Sequence, residues 1–239
     1  MAASAKVQNN WRTILARVFS RDVVQAQKEI TRFKIGEGGF NVGPPKTPKT
    51  PDETLVDLES EGEPLAGGGT VQFVNGSTAV TGLGTSFLAD VSVGDWIKPG
   101  PTASSNPYSA GTPGSEEDGW GQVQLVNNNL SITLTANYVG ATHLLAEGRP
   151  CHKASEPLFT FRKTLAAGDV LFNSVIPAIT EITATVGAAE ANADQLGGSP
   201  EFFELGLFDD DGVMVVYVTF DEEEKIVGVQ LVHVIDLTF

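Results

Sequence analysis

Residues 70–97, TVQFVNGSTAVTGLGTSFLADVSVGDWI, decide the fold class of this chain. Two short apolar-alternating runs, 71–74 and 78–80, flank Asn75-Gly76. This pair predicts a tight two-residue hairpin, because Asn and Gly tolerate the positive φ angles that such a turn demands. A run of small residues follows, and Val93-Gly94-Asp95 predicts a second turn that enters a new strand. The stretch carries no catalytic pattern and predicts a small β-module.

The composition is that of a globular protein with an acidic surface. The chain has 239 residues, and no apolar run approaches the roughly 18–20 residues needed to span a bilayer. Thirty acidic residues against 15 basic ones give a net charge of −15, which disfavours binding to nucleic acid and to anionic membranes. The N-terminus lacks an apolar segment followed by a small-residue cleavage site, so we expect no signal peptide.

Few residues are suited to metal or covalent chemistry. The single cysteine, Cys151, excludes an intrachain disulfide and a thiolate zinc cluster. Only three histidines occur, His143, His152 and His233, which disfavours a transition-metal enzyme. We therefore expect no enzyme activity, no catalytic residue, no metal site and no cofactor.

The chain is predicted to be mainly β, of the α+β class, with an N-terminal helix. Apolar residues recur at three- and four-residue spacing over 6–31, which predicts the helix. Residues 43–52 contain four prolines and predict an extended arm without hydrogen-bonded structure of its own. Three segments follow from these patterns. We expect residues 1–66 to hold the helix, a strand and the Pro-rich arm of an antiparallel scaffold. Residues 67–150 are expected to be an inserted module resembling a small β-barrel or sandwich. Residues 151–239 are expected to be the C-terminal β part of the scaffold.

The strongest β signal is a hairpin over 202–220. Two apolar runs flank Asp209-Asp210-Asp211-Gly212, whose Asp-Gly end favours a turn. Clustered carboxylates beside a glycine also suggest a calcium loop, but the alternating ligands and the distal acid of an EF-hand are missing, so a hairpin turn is favoured. In the closing strand, every second residue from Val229 to Phe239 shares one face.

Three short patterns invite a chemical interpretation that the sequence disfavours. Gly36-Glu37-Gly38-Gly39 precedes prolines rather than a helix, so a turn is favoured over a phosphate loop. Cys151 and His152 adjoin, and adjacent side chains on extended chain point apart, which disfavours a catalytic dyad. His233 lies on an apolar strand face and is expected to be a packed core or interface residue.

A glycan interpretation stays open at two tryptophans. Trp96 and Trp120 flank a Gly/Pro/Ser/Asn-rich segment, 99–118, which predicts an exposed or partner-contacting loop. Trp96 is expected in the core of the module, whereas Trp120, between two glycines, is a candidate for an exposed surface that stacks on a host glycan. Acid pairs for glycoside hydrolysis also stay open, because carboxylate separation cannot be read from sequence.

Two separated segments resemble one protein family. Residues 30–58, ITRFKIGEGGFNVGPPKTPKTPDETLVDL, resemble the start of the tail-collar fibre proteins of contractile-tailed phages, where a strand of the form fkiG.GG precedes Pro/Thr-rich spacing. Residues 202–218, FFELGLFDDDGVMVVYV, resemble the hairpin i.ElGlfd.dG of the same family. Residues 70–140 resemble another module of tailed-phage virion proteins, nGs..V.G.GT.F....v.GD.I, and are expected to be an insertion into the scaffold.

The resemblance implies assembly rather than catalysis. It predicts a structural protein of a tailed-phage virion that acts in tail, baseplate, fibre attachment or collar assembly, as a ring or trimer. Collar-fibre proteins continue into long shafts and this chain ends at Phe239, so an adaptor, baseplate or collar subunit is favoured.

The expected partners are other virion proteins and copies of the chain itself, without nucleic acid or membrane, and a host-surface glycan stays open. The expected location is the virion, assembled in the host cytoplasm. Two alternatives to the tail assignment remain. One is a head-decoration or head-fibre protein, and the other is a small glycan-binding or glycan-cleaving tail protein.

Overall fold

The computed structural model of this chain describes residues 4–7, 29–55, 57–100, 119–173, 179–194, 197–210 and 212–238. Within these residues the protein is mainly β and its strands pair in antiparallel fashion, as predicted. Most of the predicted helix over 6–31, namely 8–28, lies outside the described residues. Its described ends belong to strands and not to a helix. No helix among the described residues has both the length and the apolar character needed to cross a membrane.

The described residues form seventeen strands and few helical turns. The strands are β1 (Ser4–Val7), β2 (Ile30–Gly36), β3 (Phe40–Asn41), β4 (Thr47–Pro48), β5 (Glu63–Pro64), β6 (Thr70–Phe73), β7 (Ala79–Leu83), β8 (Trp96–Pro99), β9 (Gly121–Asn128), β10 (Ser131–Leu134), β11 (Cys151–Ala154), β12 (Thr160–Thr164), β13 (Val170–Asn173), β14 (Ile179–Val186), β15 (Glu201–Asp209), β16 (Met214–Glu224) and β17 (Leu231–Thr238). The helical elements are a four-residue helix, α1 (Phe87–Asp90), and 3-10 turns at Glu59–Glu61 and Leu145–Glu147.

The described chain divides into two compact units. The first unit combines the residues up to Ser60 with those from Thr160 onward, so it is built from both ends of the chain. The second unit comprises the described residues of the middle, 61–100 and 119–159. The predicted module, 67–150, falls inside this second unit.

The first unit is built on a five-stranded antiparallel sheet with the order β1-β16-β15-β2-β12. The predicted hairpin over 202–220 is confirmed as β15 and β16. Every residue from Phe202 to Asp209 is buried, and so is every residue from Met214 to Phe220. Both faces of these strands are therefore covered, which explains why their sequences read as continuous apolar runs rather than as alternation.

A second sheet of the first unit, with the order β13-β14-β17, shows the predicted alternation along its last strand. Along β17 the residues alternate between partly buried and exposed. The partly buried set is Leu231, His233, Ile235 and Leu237, and the exposed set is Val232, Val234 and Asp236. Val229 lies in the turn before this strand, and Phe239 lies outside the described residues.

The Pro-rich arm has hydrogen-bonded structure, which corrects the prediction of an arm without any. Strands β3 and β4 pair in antiparallel fashion, with Asn41 opposite Thr47. The backbone N–H of Lys49 also donates to the Gly39 carbonyl oxygen at 2.8 Å. Prolines remove donors but keep their carbonyls, so a two-residue pairing needs only the remaining N–H groups.

The second unit is a seven-stranded antiparallel sheet with the order β5-β11-β8-β9-β10-β7-β6. Strands β9 and β10 form a hairpin within this sheet. The core of the unit is apolar, with Phe73, Phe87 and Ile132 fully buried. The strand order runs from β5 to β6 without closing on itself, so the described residues form an open sheet and not the barrel given as one possibility.

The hairpin at Asn75-Gly76 is confirmed, but its turn is longer than predicted. Strands β6 and β7 are joined by residues 74–78, with the N–H of Ser77 donating to the Val74 carbonyl oxygen at 3.0 Å. Only Gly76 takes a positive φ, of 79°. The Asn75 side chain instead donates to the Gly140 carbonyl oxygen at 2.8 Å, a long-range contact that the local pattern could not predict.

Candidate functional site

The two segments that resemble one family lie side by side in the first unit. Strand β2 carries the start of the first segment and β15 carries the start of the second, and these strands pair in antiparallel fashion. Gly36 lies opposite Glu204 in this pairing. The side chain of Glu204 is completely buried, so its carboxylate is the polar centre of the region where the segments meet.

Protein donors surround the Glu204 carboxylate. Oε1 accepts a hydrogen bond from the backbone N–H of Ser60 at 2.8 Å. Oε2 accepts from the backbone N–H of Glu59 at 3.0 Å and from the Tyr217 hydroxyl at 2.7 Å. The Ser60 hydroxyl receives a hydrogen bond from the Thr160 hydroxyl at 2.9 Å. We call Glu204 and its surroundings, namely Glu59, Ser60, Thr160 and Tyr217, the Glu204 cluster.

Burial and hydrogen bonding act in opposite directions on Glu204. Desolvation raises the pKa of this carboxyl above its ordinary value, and the hydrogen bonds from Ser60, Tyr217 and the backbone oppose that shift. Burial and the facing carboxylate raise the pKa of Tyr217, which keeps its hydroxyl protonated and able to donate. The described donors occupy the carboxylate, so the cluster is suited to holding strands and a turn together.

Glycines let the backbone approach this carboxylate. A Cβ atom at Gly38 would lie 2.5 Å from both Glu204 Oε1 and the Ser60 backbone nitrogen, and one at Gly36 would collide with the Ser60 hydroxyl. Gly39 has a φ of 76°, which favours glycine in its own right. The pattern Gly36-Glu37-Gly38-Gly39 therefore packs on a protein carboxylate, whereas the sequence indicated only a turn.

A buried ion pair holds the neighbouring segment to the same sheet. Lys34 Nζ donates to both carboxylate oxygens of Asp57 at 2.7 Å, and Lys34 is almost fully buried. The ammonium group also lies 5.1 Å from the centroid of the Phe208 ring. Together with the Glu204 cluster, this pair fixes residues 57–60 against β2 and β15.

The residues at which the first unit is interrupted are in contact. Ser60 is the last residue of its N-terminal part and Thr160 is the first residue of its C-terminal part. Their side chains are joined by the hydroxyl–hydroxyl bond of the Glu204 cluster. The chain thus leaves and re-enters the first unit at adjacent points.

Cys151, His152 and His233 occupy separate environments. Cys151 belongs to the core of the second unit, where burial raises the pKa of its thiol and keeps it protonated. The His152 ring nitrogen Nδ1 lies 3.0 Å from the Glu61 carbonyl oxygen. His233 is partly buried, with its ring centroid 4.9 Å from that of Phe220.

The exposure of Trp96 and Trp120 is the opposite of what the sequence predicted. Trp120 is 2% exposed and its indole N–H donates to the Leu158 carbonyl oxygen at 2.9 Å, whereas Trp96 is only partly buried. Lys98 Nζ lies 4.7 Å from the centroid of the Trp120 ring. The glycine at 121 suggested exposure, but it packs closely, since a Cβ there would lie 2.6 Å from Leu134. Trp120 therefore offers no exposed face for a sugar ring.

The turn at 209–212 behaves as a hairpin turn, as predicted. The Asp209 carboxylate accepts a hydrogen bond from the Val213 N–H at 2.8 Å, and Gly212 has a φ of 82°. Asp211 lies outside the described residues. Across the part of the chain that the structure describes, no group of three or more His, Cys, Asp or Glu side chains is placed to hold a metal ion.

Comparisons with known proteins found no relative of this chain. No family model, no curated protein and no solved structure matches the chain. The resemblance to tail-collar fibre proteins therefore depends on the residues quoted above.

Replacing Gly38 with Ala should destabilise the first unit. The new Cβ would press on Glu204 and on the backbone of Ser60, and overpacking of this kind costs about 1–3 kcal/mol. Gly43→Ala is the matched control, because no atom lies within 4 Å of a Cβ at that position. Urea unfolding should show a lower midpoint for Gly38→Ala alone, and equal midpoints for the two variants would contradict the packing described here.

Glu204 should make stability depend on pH. Its pKa is higher in the folded protein than in the unfolded chain, so the folded state binds the proton more tightly. This contribution to the free energy of unfolding is complete below the ordinary carboxyl pKa of about 4.3 and is lost as the pH rises through the raised value.

Glu204→Gln removes that titration. The free energy of unfolding of the wild type minus that of Glu204→Gln should therefore decrease as the pH rises above the ordinary carboxyl pKa of about 4.3, as measured by denaturant titration. Glu63→Gln, at an exposed carboxyl, serves as the control. A difference that stays constant with pH for Glu204→Gln would refute the assignment.

Proposed function

We propose that this protein is a structural component of a tailed-phage virion. It acts in tail, baseplate, fibre attachment or collar assembly, and it works through protein–protein interfaces. Its partners are other virion proteins and further copies of the same chain.

One observation carries most of this proposal. The two segments that resemble tail-collar fibre proteins are far apart in sequence, yet β2 and β15 are neighbouring strands of one sheet. The glycines of the first segment also pack directly on Glu204 of the second. Two unrelated chance resemblances would have no reason to share one sheet and one cluster, so their contact favours a single scaffold.

The interruption of the first unit gives further support. The resemblance predicts a scaffold into which another phage module is inserted. The middle of the chain has its own sheet and its own apolar core. Insertion into a scaffold requires that the chain leave and return at nearby points, which the contact between Ser60 and Thr160 provides.

A sheet face of the first unit is suited to subunit contacts. Cross-strand pairing places Leu171, Glu181 and Asp236 on one face of the β13-β14-β17 sheet, and the alternation of the strands adds Val232 and Val234. We call these five residues the outer face. Its apolar side chains are each a little over half exposed. In the described part of the chain, β17 is also an edge strand of this sheet. Exposed apolar side chains on an edge strand favour association with another chain.

The glycan alternative has lost the observation that motivated it. It depended on an exposed Trp120, and this side chain is buried and hydrogen-bonded. The head-decoration or head-fibre alternative uses the same kind of β surfaces as the tail assignment. An experiment that locates the chain in the particle distinguishes these two.

Virions of the phage that encodes the chain should contain it. Mass spectrometry of purified particles should detect peptides from both units, because a structural protein stays with the particle through purification. Gold-labelled antibodies against the chain should mark the tail, baseplate or collar in electron micrographs. Absence of the chain from particles rejects the proposal, and labelling of the head alone favours the head-fibre alternative.

Val234→Glu should reduce incorporation into particles without unfolding the chain. Val234 is 57% exposed, so the substitution should change the free energy of unfolding by no more than about 0.5 kcal/mol. A carboxylate at the centre of the outer face would be buried without a partner on assembly, which weakens the contact. Incorporation is measured by complementing a deletion phage with the variant.

Leu125→Glu is the matched control, since Leu125 is 52% exposed on β9 of the second unit. Equal incorporation of the Val234→Glu variant and the wild type would exclude the outer face as an assembly surface.

A further inference from the structure

The residue after strand β16 is a lysine with no solvent-exposed surface. The backbone N–H of Lys225 donates to the Pro200 carbonyl oxygen at 2.8 Å. Its side-chain nitrogen Nζ donates to Asn192 Oδ1 at 2.9 Å and lies 3.3 Å from the Ile226 carbonyl oxygen. Both of these acceptors are neutral, so neither compensates the charge of a buried ammonium group.

The segment that presents Asn192 has an unusual backbone conformation. Ala191, the preceding residue, is buried and has a φ of 48°, in the left-handed region that residues other than glycine rarely adopt. Such conformations persist where the surrounding structure holds them, and they concentrate at functional positions. The Asn192 amide nitrogen Nδ2 donates to the Ala188 carbonyl oxygen at 3.2 Å on the exposed side. The amide therefore turns its carbonyl towards Lys225 and its nitrogen towards solvent.

A carboxylate lies two residues before this asparagine. Glu190 Oε2 accepts from the Gly187 N–H at 2.7 Å and from Lys163 Nζ at 2.8 Å. Desolvation lowers the pKa of Lys225, and the charge of Glu190 opposes that shift. A lowered pKa increases the fraction of neutral amine, which is the nucleophilic form of a lysine.

We infer that Lys225 and Asn192 form a covalent isopeptide bond within the folded chain, without a separate enzyme. The site brings together the two groups that this acyl transfer joins, an amine nucleophile and an amide carbonyl, with Lys225 Nζ 2.9 Å from Asn192 Oδ1. The fold holds amine and amide in contact, which removes the entropic cost of bringing them together.

The reaction balances with the groups present. Lys225 reacts as the neutral amine, and the free electron pair of Nζ attacks Cγ of Asn192. The new Nζ–Cγ bond forms as the Cγ–Nδ2 bond breaks, and one proton passes from Nζ to the departing nitrogen. Ammonia leaves on the exposed side, so the products are the isopeptide and ammonia. No group is oxidised or reduced.

The bond would close a covalent ring around the longest hairpin of the first unit. It joins the segment after β14 to the end of β16, so β15 lies inside the ring. A cross-link of this kind restricts the unfolded chain and stabilises the folded state mainly for that reason. The inference concerns the chemistry of the chain alone and does not depend on the proposed place in a virion.

Intact mass spectrometry of the purified full chain tests the inference. The mass under denaturing conditions should be lower than the sequence mass by one ammonia molecule. A protease digest should contain a branched peptide that joins the segments of Asn192 and Lys225. A wild-type mass equal to the sequence mass, both when fresh and after prolonged incubation, overturns the inference.

Two variants separate this reaction from other losses of ammonia. Asn192→Ala and Lys225→Arg should both show their full sequence masses. Loss of ammonia that persists in Lys225→Arg would point to cyclisation of an asparagine on its own backbone and would overturn the inference. The branched peptide of the wild type decides the question even where a variant does not fold.

Discussion

The first unit depends on the cost of placing the Glu204 carboxylate in an apolar interior. A buried carboxylate must receive hydrogen bonds, or its desolvation would oppose folding. The donors come from the turn at residues 59–60 and from Tyr217, which brings together parts of the chain that are distant in sequence. The same requirement explains why Gly36 and Gly38 carry no side chain, because a Cβ at either position would occupy the space of a donor or of the carboxylate.

Local periodicity was enough to predict much of the β-structure. The alternation in β17 and the apolar runs of β15 and β16 depend on neighbouring residues alone, and each was recovered from sequence. Predictions failed where distant residues decide the outcome. The side chain of Asn75 binds a carbonyl group far along the chain, and the buried indole of Trp120 donates to the carbonyl oxygen of the distant Leu158. The flanking sequence carries no sign of either contact.

The Glu204 cluster could not be predicted from the sequence, because it too depends on contacts between distant residues. A glutamate inside an apolar run has the same local pattern as one that faces solvent at a bulge or an edge. Only the resemblance placed the glycine-rich segment and the Glu204 segment in one scaffold, and it did not indicate that they touch. Ser60 and Tyr217 had no distinguishing pattern, because their role comes from geometry rather than from residue type.

The hydroxyl contact between Ser60 and Thr160 has a consequence for how such a chain can evolve. Ser60 and Thr160 are already held together, so a short loop that joined them directly would cost little loop entropy. The first unit therefore constrains the length of the chain between residues 60 and 160 only weakly. We expect the middle of the chain to tolerate changes in length while the five-stranded sheet and its buried Glu204 stay intact.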